Sequence, residues 1–232
     1  MMNRFDYIRR NYTELSCELE TIAARVGVRP PTLVCVTKSG SDEELVALAG
    51  CGASDIGENR TSELVRRYEL LSAAGFSPRM HQIGTLQSNK ARLAAPVASL
   101  IHSVDSESLL RELSRQAVRL GKSIPVLLEI NSAEEVQKGG IMPGDAERFL
   151  EKTLTYTGIT PCGLMTMGPA TEDKEEIRKY FRLTYRLFDD LGSRYGFGEK
   201  PILSMGMSDS YSVAIEEGST LVRVGRRLFK KD

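Results

Sequence analysis

The chain has 232 residues, 41% hydrophobic and 27% charged, which is enough apolar material for one sizeable core beneath a well-solvated surface. Its 31 basic and 31 acidic side chains cancel, so the net basic charge that nucleic-acid binding usually uses is absent. The four cysteines form no C-x-x-C pair and have only two histidines to join them, so a zinc site is not expected and a reducing, cytoplasmic setting is, with no apolar segment of membrane-spanning length.

In chain order, apolar residues at Phe5, Ile8, Tyr12, Leu15, Leu19, Ile22 and Val26 recur in steps of three and four. This predicts a helix within residues 1–28, stopped by Pro30-Pro31. Short apolar runs then alternate with helical patterns. Strands are expected at Thr32–Thr37, Asp55–Gly57, Met80–Gly84, Leu100–Val104, Pro125–Asn131, Gly163–Met165, Ile202–Ser204 and Leu221–Val224. Between them, helices are expected at Asp42–Ala49, Thr61–Ala73, Ser88–Ala95, Ser106–Leu120, Asp145–Leu154, Lys174–Tyr195 and Asp209–Glu216. Asp105 or Ser106 is placed to cap the fourth of these and Gly121 to end it. The alternation predicts an α/β fold: a single (β/α)8 TIM-type barrel over residues 32–229, with an extra N-terminal helix. A doubly wound open sheet is the competing arrangement. No repeat or linker divides residues 1–232, so one domain is expected. The basic run Arg226-Arg227-Leu228-Phe229-Lys230-Lys231 reads as a frayed terminus.

In a barrel, chemistry gathers where strands end on the C-terminal face. Lys38 follows the apolar run of the first strand, either snorkelling from the barrel mouth or turned inward, where burial would free its amine for Schiff-base chemistry. The loops after strands seven and eight, with Ser204, Gly206, Met207 and Ser208 in one and Gly225-Arg226 in the other, form an expected phosphate cup, with Ser208 as the N-cap of the next helix. Arg223 lies between Val222 and Val224 inside an apolar strand. It needs a partner, either a salt bridge within the barrel or a ligand heteroatom. His81 is either a satisfied core histidine or a pocket residue. Cys35 in Leu33-Val34-Cys35-Val36 reads as a buried small hydrophobe.

Several strings in order carry a resemblance: Val36-Thr37-Lys38, Gly57-Glu58-Asn59, His81-Gln82-Ile83-Gly84-Thr85-Leu86-Gln87-Ser88-Asn89-Lys90, Lys138-Gly139-Gly140-Ile141, Gly163-Leu164-Met165, Leu203-Ser204-Met205-Gly206-Met207-Ser208-Asp209 and Gly218-Ser219-Thr220-Leu221-Val222-Arg223-Val224-Gly225. With them the chain resembles the YggS/PROSC family of pyridoxal 5′-phosphate (PLP) homeostasis proteins. The resemblance implies a fold-type III PLP protein, similar to the barrel domain of alanine racemase without its second domain. It implies PLP as cofactor, held as a Schiff base on Lys38. Arg223 would meet the pyridine nitrogen, the Ser204–Ser208 loop and Gly225-Arg226 would take the phosphate, and Asn59, His81 and Met165 would line the pocket. Three departures stand out: Arg226 where a small hydroxyl residue is usual, Arg60-Thr61 after Asn59 where an aromatic is common, and no glycine after Phe229.

An arginine at the pyridine nitrogen would make the ring a poorer electron sink, and no added domain is expected after strand eight. The expected function is therefore intracellular PLP (vitamin B6) homeostasis without efficient catalysis. The expected partners are PLP, apo PLP-dependent enzymes and free amino acids, with no nucleic acid or membrane, on a monomer or weak dimer. The alternatives are an amino-acid racemase, with Tyr68, Tyr156 or His81 as candidate acid/base opposite the lysine, and a Schiff-base aldolase that uses the same lysine and cup without PLP.

Overall fold

A computed structural model describes residues 4–135 and 137–231. Eight parallel strands close in sequence order: β1 (Thr32–Val36), β2 (Asp55–Glu58), β3 (Arg79–Gln82), β4 (Ala98–Val104), β5 (Ile124–Ile130), β6 (Ile159–Thr166), β7 (Ile202–Ser204) and β8 (Leu221–Val224). β8 pairs back onto β1, with Leu33 opposite Val222 and Cys35 opposite Val224. That closure decides against the open sheet.

Helix α1 (Asp6–Val26) precedes the barrel. The others are α2 (Asp42–Gly50), α3 (Thr61–Ala73), α4 (Ala91–Val97), α5 (Glu107–Leu120), α6 (Ala146–Leu154), α7 (Lys174–Tyr195) and α8 (Tyr211–Glu216). Alternation sorts the strand side chains into two environments. Val34, Val36, Leu100, Leu127, Met165 and Leu221 meet inside the barrel. Their strand neighbours Cys35, Ile56, Ile101, Val126 and Val222 face outward into the layer beneath the helices. Cys35 is fully buried, as expected, and burial pushes its thiol pKa upward.

Several boundaries differ from expectation for identifiable reasons. α1 stops at Gly27, in the left-handed region at φ 74°, whose N–H and that of Val28 return to the carbonyls of Ala24 and Ala23. The proline pair only follows this stop. Ser88–Lys90 forms a 3-10 turn before α4, and Pro143–Asp145 another before α6. β6 begins four residues earlier than its apolar run because Pro161 and Gly163 interrupt the pattern within a paired strand. At Gly163 (φ 143°) a Cβ would stand 1.9 Å from the carbonyl oxygen of Ile202, so only glycine lets β7 lie alongside. Ser106 occupies the N-cap of α5 without a side-chain cap, Asp105 accepts instead from the Gly140 N–H at 3.2 Å, and Gly121 ends the helix as expected.

The basic tail is anchored rather than frayed. Leu228 is fully buried, Asn11 Nδ2 donates to the Leu228 and Lys230 carbonyls, and Arg227 pairs with Glu18 at 2.6 Å. Among the described residues no helix is long and apolar enough to cross a membrane.

Candidate functional site

The C-terminal ends of the strands surround one cleft of about 870 Å³, within the size range of small-molecule pockets. It is lined by Val36 at the end of β1 and Lys38 after it, Asn59 after β2, Ile83–Thr85 after β3, Glu129 of β5, residues 167–172 after β6, Met207–Ser210 after β7, and Arg223, Gly225 and Arg226 of β8 and its loop. Of the residues expected at the site, Lys38, Asn59, Met207, Ser208, Arg223, Gly225 and Arg226 meet here.

Lys38 has the same parity along the strand as the inward Val34 and Val36, which brings it to the barrel mouth, and its side chain is exposed there rather than buried. The backbone around it is held on both sides. The Thr37 hydroxyl donates to the buried Glu58, the Thr37 N–H donates to the Gly57 carbonyl at 3.2 Å, and Arg67 Nη2 donates to the Gly40 carbonyl at 3.0 Å. The Phe229 ring lies so close to Gly40 that a Cβ there would be 2.4 Å from the ring. The anchored tail thus packs on the lysine loop. Gln82 Nε2 joins the next two strand ends, donating to the Asn59 carbonyl at 3.1 Å and the Gly84 carbonyl at 2.9 Å.

Arg223 is 3% exposed, and its guanidinium donates to Ser204 Oγ at 2.5 Å and to the Thr166 carbonyl at 3.0 Å. Both partners are neutral. Burial draws its pKa down to about 10, opposed by the charge of Glu129, which still leaves it cationic near neutral pH. The barrel therefore presents a fixed positive charge at the cleft wall without neutralising it. Gly225 leaves β8 beside Val36, and a Cβ there would be 2.8 Å from the Val36 carbonyl oxygen. Gly206 has φ 92°, where a Cβ would meet that of Ala214 at 2.6 Å.

Four expected lining residues lie elsewhere. Met165 is fully buried in the barrel interior beneath the cleft, and Met167, two residues on with the same strand parity, takes its place. His81 is a satisfied core histidine, bonded to His102 at 2.9 Å and to Asp55 at 3.0 Å. Ser204 is fully buried under Arg223, and Gly206 supports the loop by accepting from the Arg223 N–H at 3.0 Å. Ser208 is not the helix cap: α8 begins at Tyr211, and Ser210 Oγ accepts from the Met207 N–H at 3.1 Å, tightening the loop. Arg226 is exposed and pairs with Asp209, joining the loops after β7 and β8. Of the candidate acid/base residues, Tyr156 donates to Glu107 outside the cleft, Tyr68 packs in the layer beneath the helices, and His81 is committed as above.

Glu129 was not foreseen. No hydrogen bond to its carboxyl is present among the described residues, and burial, with the nearby charge of Asp105, raises its pKa to about 7. Its signal in the sequence was a single acidic residue in Val126-Leu127-Leu128-Glu129-Ile130, with the parity of the inward Leu127.

The model of the alanine racemase N-terminal domain family matches residues 11–231. A protein of Aquifex aeolicus described as a pyridoxal phosphate homeostasis protein is 38% identical over 197 residues, covering 85% of each chain. The structure of PipY from Synechococcus elongatus with PLP bound superposes with a TM-score of 0.82 at 28% identity, covering 96% of this chain and 100% of that one. A Clostridium difficile alanine racemase shares the fold, with a TM-score of 0.74 at 18% identity over 98% of this chain and 60% of that one.

Proposed function

The chain belongs to the alanine racemase N-terminal domain family, on the branch of the pyridoxal phosphate homeostasis proteins, and from that premise we propose that it holds PLP reversibly in the cleft at the barrel mouth, with Lys38 as anchor. The observation that carries this reading is the convergence of Lys38, Arg223 and the two loops after β7 and β8 on one cleft. These groups fit the cofactor. PLP supplies an aldehyde that a lysine amine captures reversibly. The exposed Lys38 amine can reach a ligand entering from solvent. Arg223 offers a guanidinium donor to a ring nitrogen and, remaining charged, keeps that nitrogen unprotonated. The glycine backbone at 225 and the Met207–Ser210 turn give a phosphate close approach to main-chain N–H groups, with the Ser208 hydroxyl beside them. Arg226, now on Asp209, is placed to turn to the phosphate and add a charge-assisted bond.

In this reading the chain buffers a reactive aldehyde and releases it to apo PLP-dependent enzymes, inside the cell. One observation favours a second, catalytic reading. Glu129 is a carboxyl poised near neutrality in the same cleft, the property of a general acid or base. Solvent deuterium exchange at the α-carbon of free amino acids, measured against a PLP-only background, separates the two.

The decisive experiment is an absorbance titration of the protein with PLP, followed by borohydride reduction and peptide mapping. A reduced adduct on Lys38, lost in Lys38→Ala while weaker non-covalent binding persists, supports the proposal. An adduct on another lysine would overturn the anchor assignment. No PLP binding would bring forward the aldolase reading.

A further inference from the structure

Barrel interiors are commonly filled by branched apolar side chains. Beneath Arg223 a line of polar groups from four strands runs alongside the apolar filling of this barrel. Ser204 Oγ accepts from Arg223 Nη1 at 2.5 Å, and His102 Nδ1 lies 3.0 Å from that oxygen. His102 Nε2 stands 2.9 Å from His81 Nδ1, and His81 Nε2 stands 3.0 Å from Asp55 Oδ1. None of these five residues exceeds 5% exposure. At the far end Asp55 is held by Arg79 Nε at 2.8 Å and Ser54 Oγ at 2.7 Å. The hydrogen bond with His81 first, then those from Arg79 and Ser54, keep its pKa below the usual carboxylate value against the opposing effect of burial.

The positions of the hydrogens follow from chemistry. An ionised carboxylate has none to give, so His81 Nε2 carries a proton and donates to Asp55. Burial above all holds the His102 pKa well below its usual value, so that ring is neutral. We assign one proton to each imidazole, for which the order is unique; a doubly protonated His81 would instead reverse the two inner bonds. His81 Nδ1 accepts from His102 Nε2–H, and His102 Nδ1 accepts from the Ser204 hydroxyl. Ser204 has then spent its only hydrogen, and its oxygen is purely an acceptor towards Arg223. Every donor in the line points towards Asp55.

We propose that Asp55, His81 and His102 are positioning residues for Arg223, acting through Ser204 by fixing the direction of this buried chain. The Ser204 oxygen and the Thr166 carbonyl hold two guanidinium nitrogens, Nη2 also lies 3.5 Å from Met167 Sδ, and the side chain so fixed lines the cleft. The effect on cofactor rests on the reading that Arg223 faces the PLP ring nitrogen. The hydrogen-bond order does not.

The sequence holds only two histidines, so every imidazole signal in an ¹⁵N spectrum of the untagged, ligand-free protein belongs to this chain. The expected result is the Nε2–H tautomer for both rings at neutral pH, with slowly exchanging N–H protons. An Nδ1–H tautomer at either ring, or rapid exchange with solvent, would overturn the assignment. The second measurement is PLP titration of Asp55→Asn and His102→Phe by absorbance. About tenfold weaker binding is expected, the scale of losing a charge-linked hydrogen bond, together with a displaced band of bound PLP and an intact reducible adduct on Lys38. Folded variants with parental affinity and band would overturn the positioning role. Failure of the parent to bind PLP would instead overturn the cofactor reading, while the tautomers would still decide the chain.

Discussion

Replacing Glu129 with glutamine keeps the shape of the side chain and removes its titration. In the folded protein the Glu129 pKa rises from 4.5 to about 7, because burial and then Asp105 penalise the charged form more than Arg223 favours it. Between these two values the unfolded chain has lost the proton and the folded chain still binds it. The folded state is therefore favoured below about pH 4.5 and loses that advantage as pH rises towards 7. At ~1.4 kcal/mol per pH unit, the loss attributable to this one group approaches ~3 kcal/mol. Urea unfolding of the parent and of Glu129→Gln at about pH 5 and pH 8 measures it, because all other titrating groups are common to both proteins. The glutamine variant is expected to lose less stability across that interval by ~2–3 kcal/mol. Identical pH dependence in the two proteins would show that Glu129 titrates as a solvated carboxyl and would refute the reasoning.

Gly206→Ala should cost ~1–3 kcal/mol, since φ is 92° and the new Cβ would press on Ala214 at 2.6 Å; the melting temperature should fall and PLP binding should weaken, whereas an unchanged protein would show that the loop after β7 relaxes freely. Leu228→Ala should destabilise by ~2–5 kcal/mol because the side chain is fully buried. Chemical denaturation checks this, and a neutral result would restore the frayed tail.

The resemblance strings were legible because each marks a local backbone need or a strand end. The strand end at Lys38 was legible, though whether the lysine snorkels or turns inward was not, and Gly121 and Gly27 are glycines at left-handed helix stops. The proline pair is the more conspicuous signal, but Gly27 precedes it and ends the helix. The eightfold alternation was likewise visible, because an apolar strand buried on both faces and an amphipathic helix leave different periods in the sequence.

Three features depended on residues distant in sequence. The choice between barrel and open sheet came from the pairing of β8 with β1, a contact between chain segments that no local pattern encodes. The roles of Met165, His81 and Ser204 turned on depth along the barrel axis. Alternation determines which face a side chain takes, but the stagger of neighbouring strands sets whether it reaches the cleft or lies beneath it. Glu129 and the Asp55–His81–His102–Ser204 chain owe their properties to burial and to charges on other strands. Sequence alone therefore determined which residues are inward, and the closed barrel decided which of those meet a ligand and which hold the ones that do.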